Sequence, residues 1–188
     1  PASTSPGLGL APVGSDVLAP HERRQITATA PHTSHIGLTE AGTCTGSRPD
    51  DDEQTIATTV GRAMDSYELI VADAQGNEVE RGVTGELLVR GHGVMRGYLD
   101  DPEATAAAID ARGFLHTGDL ATMDGRGYVR IVGRSKDMLI VGGFNVYPAE
   151  VENALLAHDA IGRVAVVGVP DARMGEVPVA CVVAAPGA

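Results

Sequence analysis

The stretch GRSKDMLIVGGFNVYPAEVE, residues 133–152, decides the fold. Residues 138–141 are apolar, Gly142 and Gly143 follow, and residues 145–147 return, which predicts a hairpin. Two adjacent glycines accept the positive φ that a tight turn demands. Pro148 then opens a helix, because its fixed φ suits the first helical position, and Glu150 and Glu152 favour the positive helix end. Val151, Ala154, Leu155 and His158 recur at helical spacing and mark one face. Residues 163–169 and 178–184 are rich in valine and predict strands. From residue 138 onward the pattern is therefore strand, helix, strand, strand, a compact α+β domain.

Working outward toward the N-terminus, residues 133–137 form a short charged link between strand-rich units. The domain boundary falls there, and residues 134–137 are suited to be a hinge. Before it, Asp124-Gly125-Arg126-Gly127 is a turn signal between strands at 120–123 and 128–132. Residues 86–90 and 67–71 are further strands, with a turn at 74–77. Asp101 caps a helix with Pro102 at its first position; the alanine run carries it to Ile109, and Gly113 is expected to end it. Residues 34–133 thus predict the end of a larger domain, including a small distorted β-barrel-like unit. The acidic run Asp50-Asp51-Asp52-Glu53 is expected to serve solvation only. Residues 1–33 show no period and are expected to be irregular or divergent.

Composition narrows the function. Hydrophobic residues make up 43 % of the 188, enough for a core, but aromatics are only 3 %, so Val, Leu, Ile, Ala and Met must fill it. A net charge of -11 argues against non-specific nucleic-acid binding. An anionic ligand would need local positive charge, and Arg126, Arg130, Arg134 and Lys136 cluster in sequence, although a solvated strand edge is the simpler reading of that spacing. Cys44 and Cys181 have no metal-ligand spacing and fit reduced thiols in a cytoplasmic protein. No apolar run approaches the roughly 20 residues of a transmembrane helix. The oligomeric state is left open.

Four short constellations can carry chemistry, and each has a plainer alternative. In Gly37-Leu38-Thr39-Glu40 the Thr39 hydroxyl can bond a phosphate and Glu40 can hold Mg²⁺; a capping Thr beside an exposed Glu is the plainer reading. In His116-Thr117-Gly118-Asp119 the carboxylate can accept from two neighbouring ribose hydroxyls; otherwise it is an Asp in a turn. Arg134 can offer its planar fork to a ribose or phosphate, and Lys136 follows in what is otherwise an ordinary linker. Gly142 and Gly143 permit a ligand chain to lie against backbone, or simply turn a hairpin.

The ordered combination is far more specific than its members. Thr39-Glu40, the Gly85-Glu86-Leu87 strand, Arg96-Gly97-Tyr98 with Pro102, Thr117-Gly118-Asp119, Gly133-Arg134-x-Lys136-Asp137 and Gly142-Gly143-x-Asn145-x-Tyr147-Pro148-x-Glu150-x-Glu152 together resemble the acyl-adenylate-forming (AMP-binding) superfamily. Within it the chain looks like the fatty-acyl-CoA ligases, including bacterial ones acting on fatty or steroid-derived carboxylic acids. Peptide-synthetase adenylation domains usually carry Arg and Lys where this chain has Met138-Leu139-Ile140-Val141.

The resemblance implies two half-reactions, adenylation of a carboxylic acid by ATP and transfer of the acyl group to coenzyme A. It implies that Gly37 and Thr39 contact the AMP part of the nucleotide, Glu40 the Mg²⁺, and Asp119 the ribose with Arg134 beside it. Lys136 would be the hinge pivot, and Gly142 and Gly143 would line the CoA pantetheine channel. Residues 138–188 would begin a mobile C-terminal domain. Three departures accompany it. Ile36 stands where the family carries an aromatic residue, and no phosphate-binding loop or late catalytic lysine is recognisable. The chain is therefore expected to be a portion of such a ligase, incomplete at both ends and inactive by itself. The alternatives are a unit loading a carrier-protein pantetheine and a non-catalytic binding module that keeps the fold.

Overall fold

A computed structural model describes residues 34–187. The expectation for residues 1–33 lies outside the described residues. The class is α+β, with antiparallel pairing throughout. Three two-residue strands come first: β1 (Gly37–Leu38), β2 (Gly42–Thr43) and β3 (Thr45–Gly46). Helix α1 (Glu53–Thr58) and strand β4 (Arg62–Ala63) follow. Then come β5 (Tyr67–Ala72), β6 (Gly85–Gly91), helix α2 (Pro102–Ala108), β7 (Leu115–Met123) and β8 (Val129–Arg134). A 3-10 turn (Ser135–Asp137) leads to β9 (Leu139–Val141), β10 (Phe144–Val146), helix α3 (Pro148–Leu156), β11 (Ile161–Asp171) and β12 (Gly175–Ala184).

The strands form two small pairs, β1-β2 and β3-β4, and two four-stranded sheets ordered β5-β6-β7-β8 and β10-β9-β12-β11. The barrel-like expectation is met by an open sheet; none of the sheets among the described residues closes into a barrel. One face of the first sheet carries the main core, in which Leu69, Val71, Leu87, Val89, Leu115, Ala121 and Val129 meet Ala41 and Cys44. The other face carries a smaller cluster of Ile70, Ala72, Leu88 and Phe114. This division follows from strand pleat: alternate residues of β5 and β6 point to opposite faces, and both faces are covered.

Local chemistry sets several elements. Asp101 Oδ1 accepts from the Ala104 N–H at 2.9 Å and caps α2, with Pro102 at its start. The helix ends at Ala108, however, and not at Gly113. Ile109 is already extended and pairs with Leu115, while Gly113 turns the chain four residues later, its N–H donating to the Asp110 carbonyl at 2.9 Å. The β7-β8 turn is held by Asp124 Oδ1, which accepts from the N–H groups of Arg126 (2.8 Å) and Tyr128 (2.9 Å). Gly142 and Gly143 both have positive φ, 58° and 88°, and close the β9-β10 hairpin. The acidic run does more than solvate: Asp52 Oδ1 caps α1 by accepting from the Thr55 N–H at 2.7 Å, and Asp51 accepts from the Tyr128 hydroxyl.

Candidate active site

The sheet is least regular at Thr117-Gly118-Asp119. Glu86 pairs with Leu120 and Leu88 with His116, so these three residues of β7 face only Leu87 across the ladder. Two extra residues make a bulge, which bends the strand and re-aims its side chains. Substitute hydrogen bonds hold it. The Thr117 hydroxyl donates to the Leu87 carbonyl at 2.7 Å, and the Asp119 N–H donates to the Thr117 hydroxyl at 3.0 Å. The Gly118 N–H donates to Glu86 Oε1 at 3.0 Å. Gly118 has φ 71°, a region where a side chain would strain the backbone.

A second slip lies on the other edge of β7. Ala121 pairs with Ile131 but Leu120 pairs with Gly133, which makes Val132 an extra residue of β8. Regular pairing would set Gly133 opposite Asp119. The slip sets Arg134 there instead, on the same face as its partner. Arg134 Nε donates to Asp119 Oδ1 at 3.1 Å.

Asp119 is 7 % exposed. Burial pushes its carboxyl above the ordinary carboxylate value, the Arg134 hydrogen bond and charge pull it down, and the nearby Glu86 charge adds to the rise. A raised value means that the ionised group is under-solvated where it sits. Arg134 takes one of its oxygens, so further acceptor sites stand ready for a ligand's hydroxyls.

The Gly37–Glu40 turn packs on the same side of the sheet. Ile36 and Leu38 pack against the main core. Gly37 and Leu38 pair with Thr43 and Gly42, and the Cys44 N–H donates to the Ile36 carbonyl at 3.0 Å. Cys44 is fully buried; burial pushes its thiol up to about 11, and the Asp119 charge adds to this. Thr39 is exposed. Glu40 is half-buried, its Oε1 accepting from the Tyr98 hydroxyl at 3.1 Å and its carbonyl from the Met95 N–H at 2.7 Å.

The structure thus brings Asp119 and Arg134 together on one sheet, while Gly37 and Glu40 belong to the β1-β2 turn, whose Ile36 and Leu38 pack against the main core of that sheet. Lys136 is exposed in the 3-10 turn two residues past Arg134. Gly142 and Gly143 belong to the second sheet, where Met174 packs under Gly142: a Cβ there would lie 2.5 Å from Met174 Cε. Two residues with site contacts carry no role in the sequence reading. Glu86 holds the bulge, and Tyr98 holds Glu40. Both lie in stretches that carry the family resemblance, yet their partners are 32 and 58 residues away in sequence.

Comparison with known proteins identifies the family and the fold. The AMP-binding enzyme family matches residues 5–99, and the AMP-binding enzyme C-terminal domain matches residues 150–188. The chain is 59 % identical over 151 residues to the 3-[(3aS,4S,7aS)-7a-methyl-1,5-dioxo-octahydro-1H-inden-4-yl]propanoyl:CoA ligase of Rhodococcus jostii (strain RHA1), a match covering 80 % of this chain and 27 % of that protein. It is 45 % identical over 140 residues to the long-chain-fatty-acid--CoA ligase of Escherichia coli O157:H7, covering 74 % of this chain and 25 % of that one. The chain therefore spans about a quarter of the length of the curated relatives it matches. Among solved structures, ATP-bound MatB from Rhodopseudomonas palustris aligns with a TM-score of 0.83 at 39 % identity, over 90 % of this chain and 34 % of that one. The o-succinylbenzoate CoA synthetase MenE from Bacillus subtilis, in complex with an acyl-adenylate, aligns with a TM-score of 0.77 at 32 % identity, over 88 % and 34 %. With one match spanning residues 5–99, half of the chain and including the Thr39-Glu40 turn, and the other spanning residues 150–188, the chain belongs to the AMP-binding enzyme family.

Proposed function

We propose that this chain is the ribose-gripping edge, hinge and first part of the mobile domain of an ATP-dependent acyl-CoA ligase. In the proposed reaction the acid's carboxylate attacks the α-phosphate of ATP and gives an acyl-adenylate and pyrophosphate. The CoA thiol then attacks the acyl carbon and releases AMP and the thioester. The observation that carries the reading is Asp119: a buried carboxylate with a raised pKa, set beside Arg134 by two strand slips. Two vicinal ribose hydroxyls are donors of the right number and kind to satisfy it.

The other assignments follow this placement. Gly37 and Thr39 would meet the nucleotide phosphate from the exposed turn. Glu40 fits a magnesium ion in its donor chemistry, as a hard carboxylate with one oxygen engaged by Tyr98. Among the described residues no group of three or more His, Cys, Asp or Glu surrounds one point, which suits an ion held mainly by phosphate oxygens and water. Bound there, the ion would offset phosphate charge. Residues 134–137 would be the hinge, with Lys136 its pivot, between residues 34–133 and the domain of residues 138–188. Gly142 and Gly143 would admit the pantetheine arm of CoA against bare backbone. For the acid we infer an apolar ring-bearing or long-chain carboxylate, because the relatives named above act on such acids. Among the described residues no helix is long and apolar enough to cross a membrane.

The test is nucleotide protection. AMP at 100 times its Kd should stabilise the chain against unfolding by about 2.7 kcal/mol; no protection at millimolar AMP refutes the ribose site. Acyl-hydroxamate formation with ATP, Mg²⁺, hydroxylamine and a panel of acids should be negligible for the 188-residue chain. Turnover at roughly 1 s⁻¹ or more would show that a recognisable phosphate loop and late lysine are dispensable.

A further inference from the structure

The Asp119 bulge is fastened from behind. Register places Glu86 with Leu88 and Ile70, on the face of the sheet opposite Asp119. From there its two oxygens reach two points on β7: Oε1 accepts from the Gly118 N–H at 3.0 Å, and Oε2 lies 2.9 Å from His116 Nδ1. A carboxylate reaching the backbone N–H of a bulge replaces a ladder bond that the extra residues have removed, and a charge-assisted bond is stronger than the one lost. The side chains of Glu86 and His116 are 26 % and 33 % exposed, so the pair is sheltered without being sealed.

Gly118 is where this matters. Its φ of 71° leaves nothing but hydrogen bonding to define the peptide that precedes Asp119, since glycine imposes no preference of its own. Glu86 fixes the Gly118 N–H, and Thr117 fixes the Asp119 N–H. Between them the Asp119 backbone has one orientation, and its carboxylate one aim toward Arg134.

Resting on the ribose reading above, we propose that Glu86 is a positioning residue for nucleotide recognition: it never touches the ligand, and it sets the direction of the carboxylate that does. The consequence is selective. Removing Glu86 loosens the grip on the ribose hydroxyls and leaves contacts to the rest of the nucleotide as they were.

The experiment compares AMP with 2′,3′-dideoxy-AMP, which lacks both hydroxyls, on the 188-residue chain by calorimetric titration. The wild-type chain should bind AMP at least about tenfold more tightly, since two charge-assisted bonds differ between the ligands. Absence of AMP binding, or of that preference, defeats the ribose reading itself. Given the preference, Glu86→Leu should reduce it at least about fivefold while dideoxy-AMP affinity stays within about twofold. Glu86→Gln keeps an acceptor for the Gly118 N–H and should restore the preference to within about twofold of wild type. A Leu variant that keeps the full preference overturns the inference, as does equal weakening of both nucleotides, which a merely structural role would cause. If Glu86→Leu does not fold, Glu86→Asp decides: one methylene shorter, it cannot span both partners, and an undiminished preference overturns the inference.

Discussion

Replacing Asp119 by Asn should move affinity and stability in opposite directions. The substitution keeps the shape of the side chain and its capacity to accept from Arg134 Nε, now 3.1 Å away, and removes only the charge. Hydrogen bonds to a charged group contribute about 1.5–3 kcal/mol and neutral ones about 0.5–1.5 kcal/mol. At the proposed site each ribose hydroxyl therefore loses about 1–1.5 kcal/mol. Two lose about 2–3 kcal/mol, a roughly 30- to 160-fold rise in the Kd for AMP. Stability goes the other way because burial outweighs Arg134 and holds the folded-state pKa of Asp119 above its unfolded value. The folded chain then binds a proton more tightly than the unfolded one, so ionisation lowers stability as pH rises through the folded value. At neutral pH the Asn variant should melt at or above the wild-type temperature, and its advantage should shrink as the pH falls toward the carboxylate range. Thermal melts from about pH 3 to about pH 7, with AMP titrations at neutral pH, check both halves. Unchanged AMP affinity, or a variant that falls further below wild type as pH rises, refutes the reasoning.

Glycine positions offer a contrast. Gly61→Ala would put a Cβ 2.2 Å from the Gly46 carbonyl carbon and 2.6 Å from the Ser47 nitrogen, and should abolish folding by circular dichroism. Gly118→Ala meets nothing nearer than Ser135 Oγ at 4.0 Å, so only its backbone strain of about 1–2 kcal/mol should register, as a few degrees of Tm. Cys44, buried and with its thiol pushed up to about 11, should resist alkylation at neutral pH until the chain unfolds, whereas exposed Cys181 should react at once. Mass spectrometry of the labelled chain distinguishes them. In a complete acyl-CoA ligase carrying this chain, the proposed pivot predicts that Lys136→Pro slows thioester formation much more than adenylation in single-turnover assays; equal loss in both half-reactions counts against it.

What was legible in the sequence was what short-range chemistry decides. Asp101 before Pro102, Asp124 before Gly125, and Gly142 beside Gly143 each fix a cap or a turn within a few residues, and each forms as its pattern predicts. Gly113 misled because a glycine after an alanine run resembles a helix stop, while β-branched Ile109 had already left the helix to pair with Leu115. Asp51 misled because its partner, Tyr128, lies 77 residues along the chain. The residues Asp119 and Arg134 were readable as candidates, and the family resemblance set them side by side, but the local pattern did not show their meeting. It depends on Val132 being extra in β8, and an extra residue in one strand has no signature until the partner strand is known. Glu86 was hidden for the same reason, since only the register across β6 and β7 brings it under Gly118.

The paired slips give β7 an unusual kind of rigidity, one of count. On one edge it carries two residues more than β6, and on the other one residue fewer than β8. Substitutions between Leu115 and Arg134 can be absorbed one side chain at a time. A single insertion or deletion within either strand would rotate everything beyond it by half a pleat, leaving Asp119 to look at Gly133 or Arg134 to look toward the other face of the sheet. In this segment the number of residues sets the register, more than the identity of most of the letters that fill it.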